Sequence, residues 1–200
     1  MIWDENVNGN VYIQPEFPQI RYFLDGASYN LVDGEQTYKV LVVGGAYSVD
    51  KYYRLERAAK LNSSFSGWFK DEQLTDQEQN NILMTTAGES YDIVLTHTAP
   101  LKWEPQDLFL NFIDQSSVDK SMEKFLDTLS ENINWKLWLF GHYHADRIER
   151  PHVEQFYTDF DYLSNIIQRW KKYDSSEELD WWLVKSPNFF FNDANYISFD

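Results

Sequence analysis

Residues 38–51 read Tyr38-Lys39-Val40-Leu41-Val42-Val43-Gly44-Gly45-Ala46-Tyr47-Ser48-Val49-Asp50-Lys51. The first six end as a continuous apolar run, the pattern of a strand buried on both faces. That strand opens directly into a glycine-rich polar loop. The arrangement occurs twice more. Tyr91-Asp92-Ile93-Val94-Leu95-Thr96 opens into His97-Thr98-Ala99-Pro100, and Lys136-Leu137-Trp138-Leu139-Phe140 opens into Gly141-His142-Tyr143-His144. Helical signals lie between and after these strands. Thr75-Asp76-Gln77-Glu78 is a capping-box start for a helix to about Met84. Residues 117–132 place Val118, Met122, Phe125, Leu126 and Leu129 on one helical face. Phe160, Leu163, Ile166, Ile167 and Trp170 mark a last amphipathic helix. Strands alternating with helices predict an α/β protein whose central sheet is partly parallel.

Upstream of residue 38 the pattern is of short strands: Val11-Tyr12-Ile13, residues 20–24 and residues 28–32. Asp25-Gly26 and Asp33-Gly34 between such runs predict a meander of antiparallel strands. Downstream of Asp174 the chain turns polar, then aromatic, with Trp181-Trp182 and Phe189-Phe190-Phe191. No repeat or linker interrupts it, so one domain over residues 1–172 with an aromatic extension over 173–200 is expected.

Composition narrows the function classes. Of 200 residues, 43% are apolar and 18% aromatic, which excludes a disordered chain. No apolar run is long enough to span a membrane. The net charge of −15 repels phosphate backbones and anionic lipid, arguing against long nucleic acids and membrane surfaces as partners. There is no cysteine, which excludes disulfides, thiolate zinc sites and cysteine nucleophiles. An acidic N-terminus without a signal-peptide pattern, together with the missing cysteines, predicts a cytoplasmic location.

Three of the four histidines follow directly on the predicted buried strands, where open α/β sheets build their ligand sites. In an extended turn, His142 and His144 point the same way and can approach one metal or two neighbouring metals. Histidines also serve as half-buried hydrogen-bonding groups, and both readings stay open for an isolated H-x-H. Imidazole donors suit zinc, iron, manganese or nickel. His152, after Pro151 in a polar stretch, reads as a solvated side chain. Gly44-Gly45 allows close approach of backbone to a ligand, or merely a tight turn.

These residues carry a family resemblance. The run Val42-Val43-Gly44-Gly45-Ala46-Tyr47-Ser48-Val49-Asp50-Lys51, then Arg54, Trp68 with Asp71-Glu72-Gln73, Leu95-Thr96-His97-Thr98-Ala99-Pro100 and Gly141-His142-Tyr143-His144 resembles the C-terminal part of the calcineurin-like metallophosphoesterases. It is most similar to the bacterial and phage branch, over about residues 5–170. The resemblance implies the C-terminal portion of an αββα sandwich of two sheets with flanking helices. It also implies two divalent ions (Mn, Fe or Zn) that activate water for hydrolysis of a phosphoric ester. His97 and His142 match ligands of the second metal, and His144 matches a ligand of the first. Asp50, Lys51 and Arg54 lie in the family-like loop. They orient a phosphate or the loop over the metals, or form a local ion pair.

The family's D-x-H, G-D-x-x-D and G-N-H-D/E motifs do not occur in the chain, and no histidine precedes His97. The expectation is therefore an incomplete phosphoesterase domain over 1–172, beginning past the third motif and lacking the bridging carboxylate. Such a chain is expected to be inactive alone, or to act as a non-catalytic binding module derived from the family. Homodimerisation or capture of a complementary N-terminal chain would cover the exposed sheet. The aromatic extension reads as a partner patch, as cover for that sheet, or as completion of the core.

Overall fold

The computed structural model describes residues 1–109 and 115–175. Its centre is a mixed six-stranded sheet of β4 (Ala27–Asp33), β5 (Gln36–Val43), β6 (Ser90–Thr96), β7 (Asn134–Phe140), β8 (Arg147–Arg150) and β9 (Val153–Gln155), in the order β4-β5-β6-β7-β9-β8. The pairs β5–β6, β6–β7 and β7–β9 are parallel, while the edge strands β4 and β8 run antiparallel to their neighbours. Helices α1 (Lys51–Lys60) and α2 (Asp76–Thr86) lie between β5 and β6, and α3 (Ser121–Asn132) lies between β6 and β7. Helix α4 (Leu163–Ser175) follows β9. The α/β class and the three buried strands stand as the sequence pattern predicts.

The continuous apolar runs divide by parity. Leu41, Val43, Val94, Trp138 and Phe140 share a cluster with Ile82 of α2 and with Met122, Phe125, Leu126 and Leu129 of α3. Val40, Ile93, Leu137 and Leu139 share the opposite cluster with Ile166, Ile167 and Trp170 of α4. Alternating side chains leave opposite faces of a strand, so a strand covered on both sides must be apolar at every position. The fully buried Trp138 anchors the first cluster. Its indole meets Trp103 and Trp135 edge-on at 5.3 and 5.6 Å, and its N–H donates to Thr96 Oγ1 at 3.0 Å. A small antiparallel sheet of β1 (Ile2–Asp4), β2 (Gly9–Gln14) and β3 (Phe17–Tyr22) packs beside β4 through Val7, Val11 and Tyr29.

Three local expectations are corrected. The meander breaks at Asp25-Gly26, because β3 and β4 belong to different sheets. Gly26 N–H donates to Val42 O at 2.8 Å and Asp25 Oδ1 accepts Gly44 N–H at 2.5 Å, so this turn serves β5 rather than a hairpin. Asp33-Gly34 does close the β4–β5 hairpin, with Asp33 opposite Gln36. Helix α3 starts at Ser121 rather than 117, since Asp119 Oδ1 takes the Ser121 N–H at 2.8 Å. Phe160 stands outside α4 and is 92% exposed. The Thr75–Glu78 capping box forms as expected. Trp181, Trp182 and Phe189–191 lie outside the described residues. None of the described helices is long and apolar enough to cross a membrane.

Candidate metal centre

The parallel ladder carries each histidine loop to one edge of the sheet. His97 N–H donates to Val43 O at 3.2 Å, and Gly141 N–H donates to His97 O at 3.0 Å, so the three strand ends are stitched together in order. A Cβ on Gly141 would stand 3.2 Å from Phe156 O, so that the facing backbone would have to give by a few tenths of an ångström. Gly45, at φ +91, is more tightly confined: a Cβ there would lie 2.9 Å from Glu72 O, which already accepts Ala46 N–H at 3.1 Å. The close approach that Gly45 permits is therefore to its own chain.

The expected extended turn at His142-Tyr143-His144 is replaced by a tighter one. His142 and His144 have φ of +74 and +54, and Tyr143 N–H donates to Gly141 O at 3.0 Å. A bond spanning one residue of positive φ is a strained γ-turn, and a non-glycine residue in such a conformation costs about 1–3 kcal/mol. The interior supplies the compensation. Tyr143 packs on the α2/α3 cluster, and its hydroxyl lies 2.9 Å from Thr98 Oγ1, which itself donates to Glu123 Oε1 at 2.9 Å. Burial pushes the Tyr143 phenol well above its usual range, with the Thr98 hydrogen bond opposing. Tyr143 thus serves as a half-buried peg between His142 and the exposed His144.

His97 and His142 meet with ring centroids 5.1 Å apart at an interplanar angle of 66°. His144 instead stacks on Tyr157, centroids 4.4 Å and planes 17° apart. Burial is the largest cause of a lowered His142 pKa, at about 4, with His97, His144 and Lys120 adding to the effect and Glu72 opposing it. His97 is lowered as well, by burial first and by His144 second. Both rings are then neutral at pH 7, the state in which imidazole binds a metal.

The carboxylates nearby are engaged elsewhere. Glu72 accepts Ser48 N–H at 3.1 Å and Ser48 Oγ–H at 2.6 Å. Asp146 accepts the N–H groups of Tyr157, Thr158 and Asp159 and the Thr158 hydroxyl. Among the described residues, no group of three or more His, Asp or Glu side chains is placed to hold a metal ion. What the strand ends bring together is a pair of imidazoles, His97 and His142, while His144 turns onto Tyr157. These donors do not fit a dinuclear centre, which needs a carboxylate to bridge its ions.

Asp50, Lys51 and Arg54 stand apart from the histidines in a local network. Arg54 Nε pairs with Asp50 Oδ2 at 2.6 Å, Arg54 Nη1 donates to Gly67 O at 2.9 Å, and Lys51 Nζ lies 4.3 Å from the Trp68 ring centroid. His152 is also not the solvated side chain expected: Nε2 lies 2.8 Å from Asp174 Oδ1 and the ring sits 4.8 Å from Trp170. The Thr98–Glu123–Tyr143 network was missed by sequence reasoning. Its one signal is Glu123, an acidic residue beside Met122 on the buried face of α3.

Compared with family models, curated proteins and solved structures, the chain matches none.

Proposed function

We propose that the chain supplies the imidazole side of a metal-dependent phosphoesterase, as part of a two-sheet αββα sandwich. His97, His142 and His144 would hold Mn, Fe or Zn, and the missing carboxylates would come from another polypeptide segment, either a complementary chain or a second copy. A metal bound there would polarise a phosphoryl oxygen and acidify a bound water. The observation that carries this reading is the meeting of two neutral imidazoles at adjacent ends of parallel strands, one of them on a strained turn. Strain of that kind concentrates at functional sites. Gly141 allows the close return of the chain, Tyr143 pegs the loop, and the parallel ladder fixes the strand ends. The cysteine-free sequence supports a cytoplasmic setting.

A second reading is a non-catalytic binding module that keeps the fold and a partial metal site. The engagement of Glu72 and Asp146 by loop donors favours it. Titration of the purified chain with zinc in a calorimeter, followed by a phosphodiester assay in manganese, separates the two. Both readings expect micromolar-class zinc binding that falls at least about tenfold in His142→Ala, or about 1.4 kcal/mol. The enzyme reading expects hydrolysis only when carboxylate-bearing partner sequence is added. Equal zinc affinity in wild type, His97→Ala and His142→Ala would sink both.

A further inference from the structure

Helix α1 is amphipathic in pattern yet has no buried residue. A helix with such a pattern ordinarily hides one face. It also carries Lys51, Arg54, Arg57 and Lys60 against Glu56 alone, a net of +3 in ten residues of a chain whose total is −15. The chain then folds back along it. Asn62, at φ +48, turns the backbone; Ser63 N–H donates to Ala58 O at 2.9 Å; and Arg54 holds the far end through Gly67 O. The result is a groove of about 930 Å³, lined by Asp50, Tyr53, Arg54, Arg57, Leu61 and Phe65 among others, so that two arginines on its wall stand against one aspartate. Tyr53 is 62% exposed and Phe65 67%. Among the described residues, Arg57 has no ion-pair partner, whereas Arg54 is tied to Asp50 and Lys60 to Glu56.

We propose that this groove binds a short stretch of single-stranded nucleic acid, with a phosphate on Arg57 and bases stacked on Tyr53 and Phe65. A cationic groove with exposed aromatic rings on its walls is the arrangement that takes a single strand, since every base has a face to stack and every linkage a charge. The overall charge of −15 does not prevent this. Fixed charges beyond about 8 Å are screened at physiological salt, so a strand in the groove meets the local excess of cations. The same overall charge limits the length bound, because a long strand would run onto acidic surface. In the chain the groove is joined to the first strand-end loop by Asp50, and Ser48 of that loop is bonded to Glu72. As a substrate assignment this rests on the phosphoesterase reading; as a binding site it does not.

Fluorescence anisotropy with a labelled oligothymidylate of about ten nucleotides tests it. Wild type is expected to bind. Tyr53→Leu and Phe65→Leu should each weaken binding at least about fivefold, the lower end of one lost base stack. Arg57→Ala should reduce the slope of log affinity against log salt by about 0.7, the loss of one phosphate contact on a single strand. All three positions are exposed, so unchanged thermal melts will show that the fold persists. Dextran sulfate, a polyanion without bases, should compete poorly. His142→Ala should bind the oligonucleotide as wild type does, so that loss of metal binding with retained strand binding indicts only the phosphoesterase reading. The proposal is overturned if wild type does not bind, or if the three substitutions leave affinity and salt slope unchanged. It is equally overturned if Arg57→Glu dissociates a dimer seen by light scattering while no oligonucleotide binds, which would make the groove an interface between copies.

Discussion

His142 and His152 share a left-handed backbone, with φ of +74 and +63, but they stand at opposite ends of the central sheet. His152 lies at the amino end, where its ring contacts Trp170 and Tyr173 and its Nε2 meets Asp174. Beneath it, Trp170 N–H donates to buried Glu154, which also pairs with Arg169 at 2.9 Å. His142 lies at the carboxyl end, held by a γ-turn, in ring contact with His97 and Tyr143, with no hydrogen bond to its ring nitrogens among the described residues. One histidine is satisfied by its surroundings and contributes to stability. The other is strained and chemically free. Positive φ alone does not distinguish the two histidines; the partners of their ring nitrogens do.

Substitutions on the two sides should have opposite signs. The largest effect is expected at Trp170→Ala, which removes the ring beneath His152 and strips a donor from Glu154, at about 3–5 kcal/mol in urea unfolding. His152→Ala should destabilise by about 1–2 kcal/mol, through the lost Asp174 hydrogen bond and ring packing. If it is neutral, the amino-end histidine is as free as the other and the contrast collapses. At the carboxyl end, His142→Gly should raise stability by about 1 kcal/mol, because glycine adopts φ of +74 without strain, while zinc affinity falls. A destabilised His142→Gly would mean that the imidazole itself supports the loop.

Acid sharpens the same comparison. At the amino end, burial pushes the Asp92 carboxyl upward, but the Lys136 ammonium and the Lys39 N–H pull harder, and its pKa lies below the usual carboxylate range. A depressed folded pKa gives stability that is present above the unfolded value of 3.8 and lost as pH falls through the folded one. Asp92→Asn should therefore flatten the decline of the melting temperature below pH 4. The smallest effect is expected at Arg54→Ala, an exposed pair with Asp50 worth within about 0.5 kcal/mol. A larger loss would show that the bond to Gly67 O carries the fold of the 61–67 return.

The three buried strands were legible because apolar residues at every position admit few alternatives to a doubly covered strand. The capping box at Thr75 was legible because its two hydrogen bonds are local. Helix α1 was not, because half of its ten residues are charged and Asp50 ahead of it makes no side-chain cap bond. Strands β8 and β9 were missed as well: Arg147–Arg150 is polar, and Val153–Gln155 is too short for a period to show. The candidate site was legible as a set of strand ends, but the placement of its rings was not.

What the sequence by itself determined is the order of strand and loop that carries His97, His142 and His144 to one edge, because each loop follows its strand directly. Tertiary structure decided the rest. The contact of Tyr143 with Thr98 holds the loop that carries the γ-turn at His142, and loop donors occupy Glu72 and Asp146. Periodicity is a property of neighbours in the chain. The direction of a side chain at positive φ and the occupancy of a carboxylate depend on atoms that only the folded chain brings near.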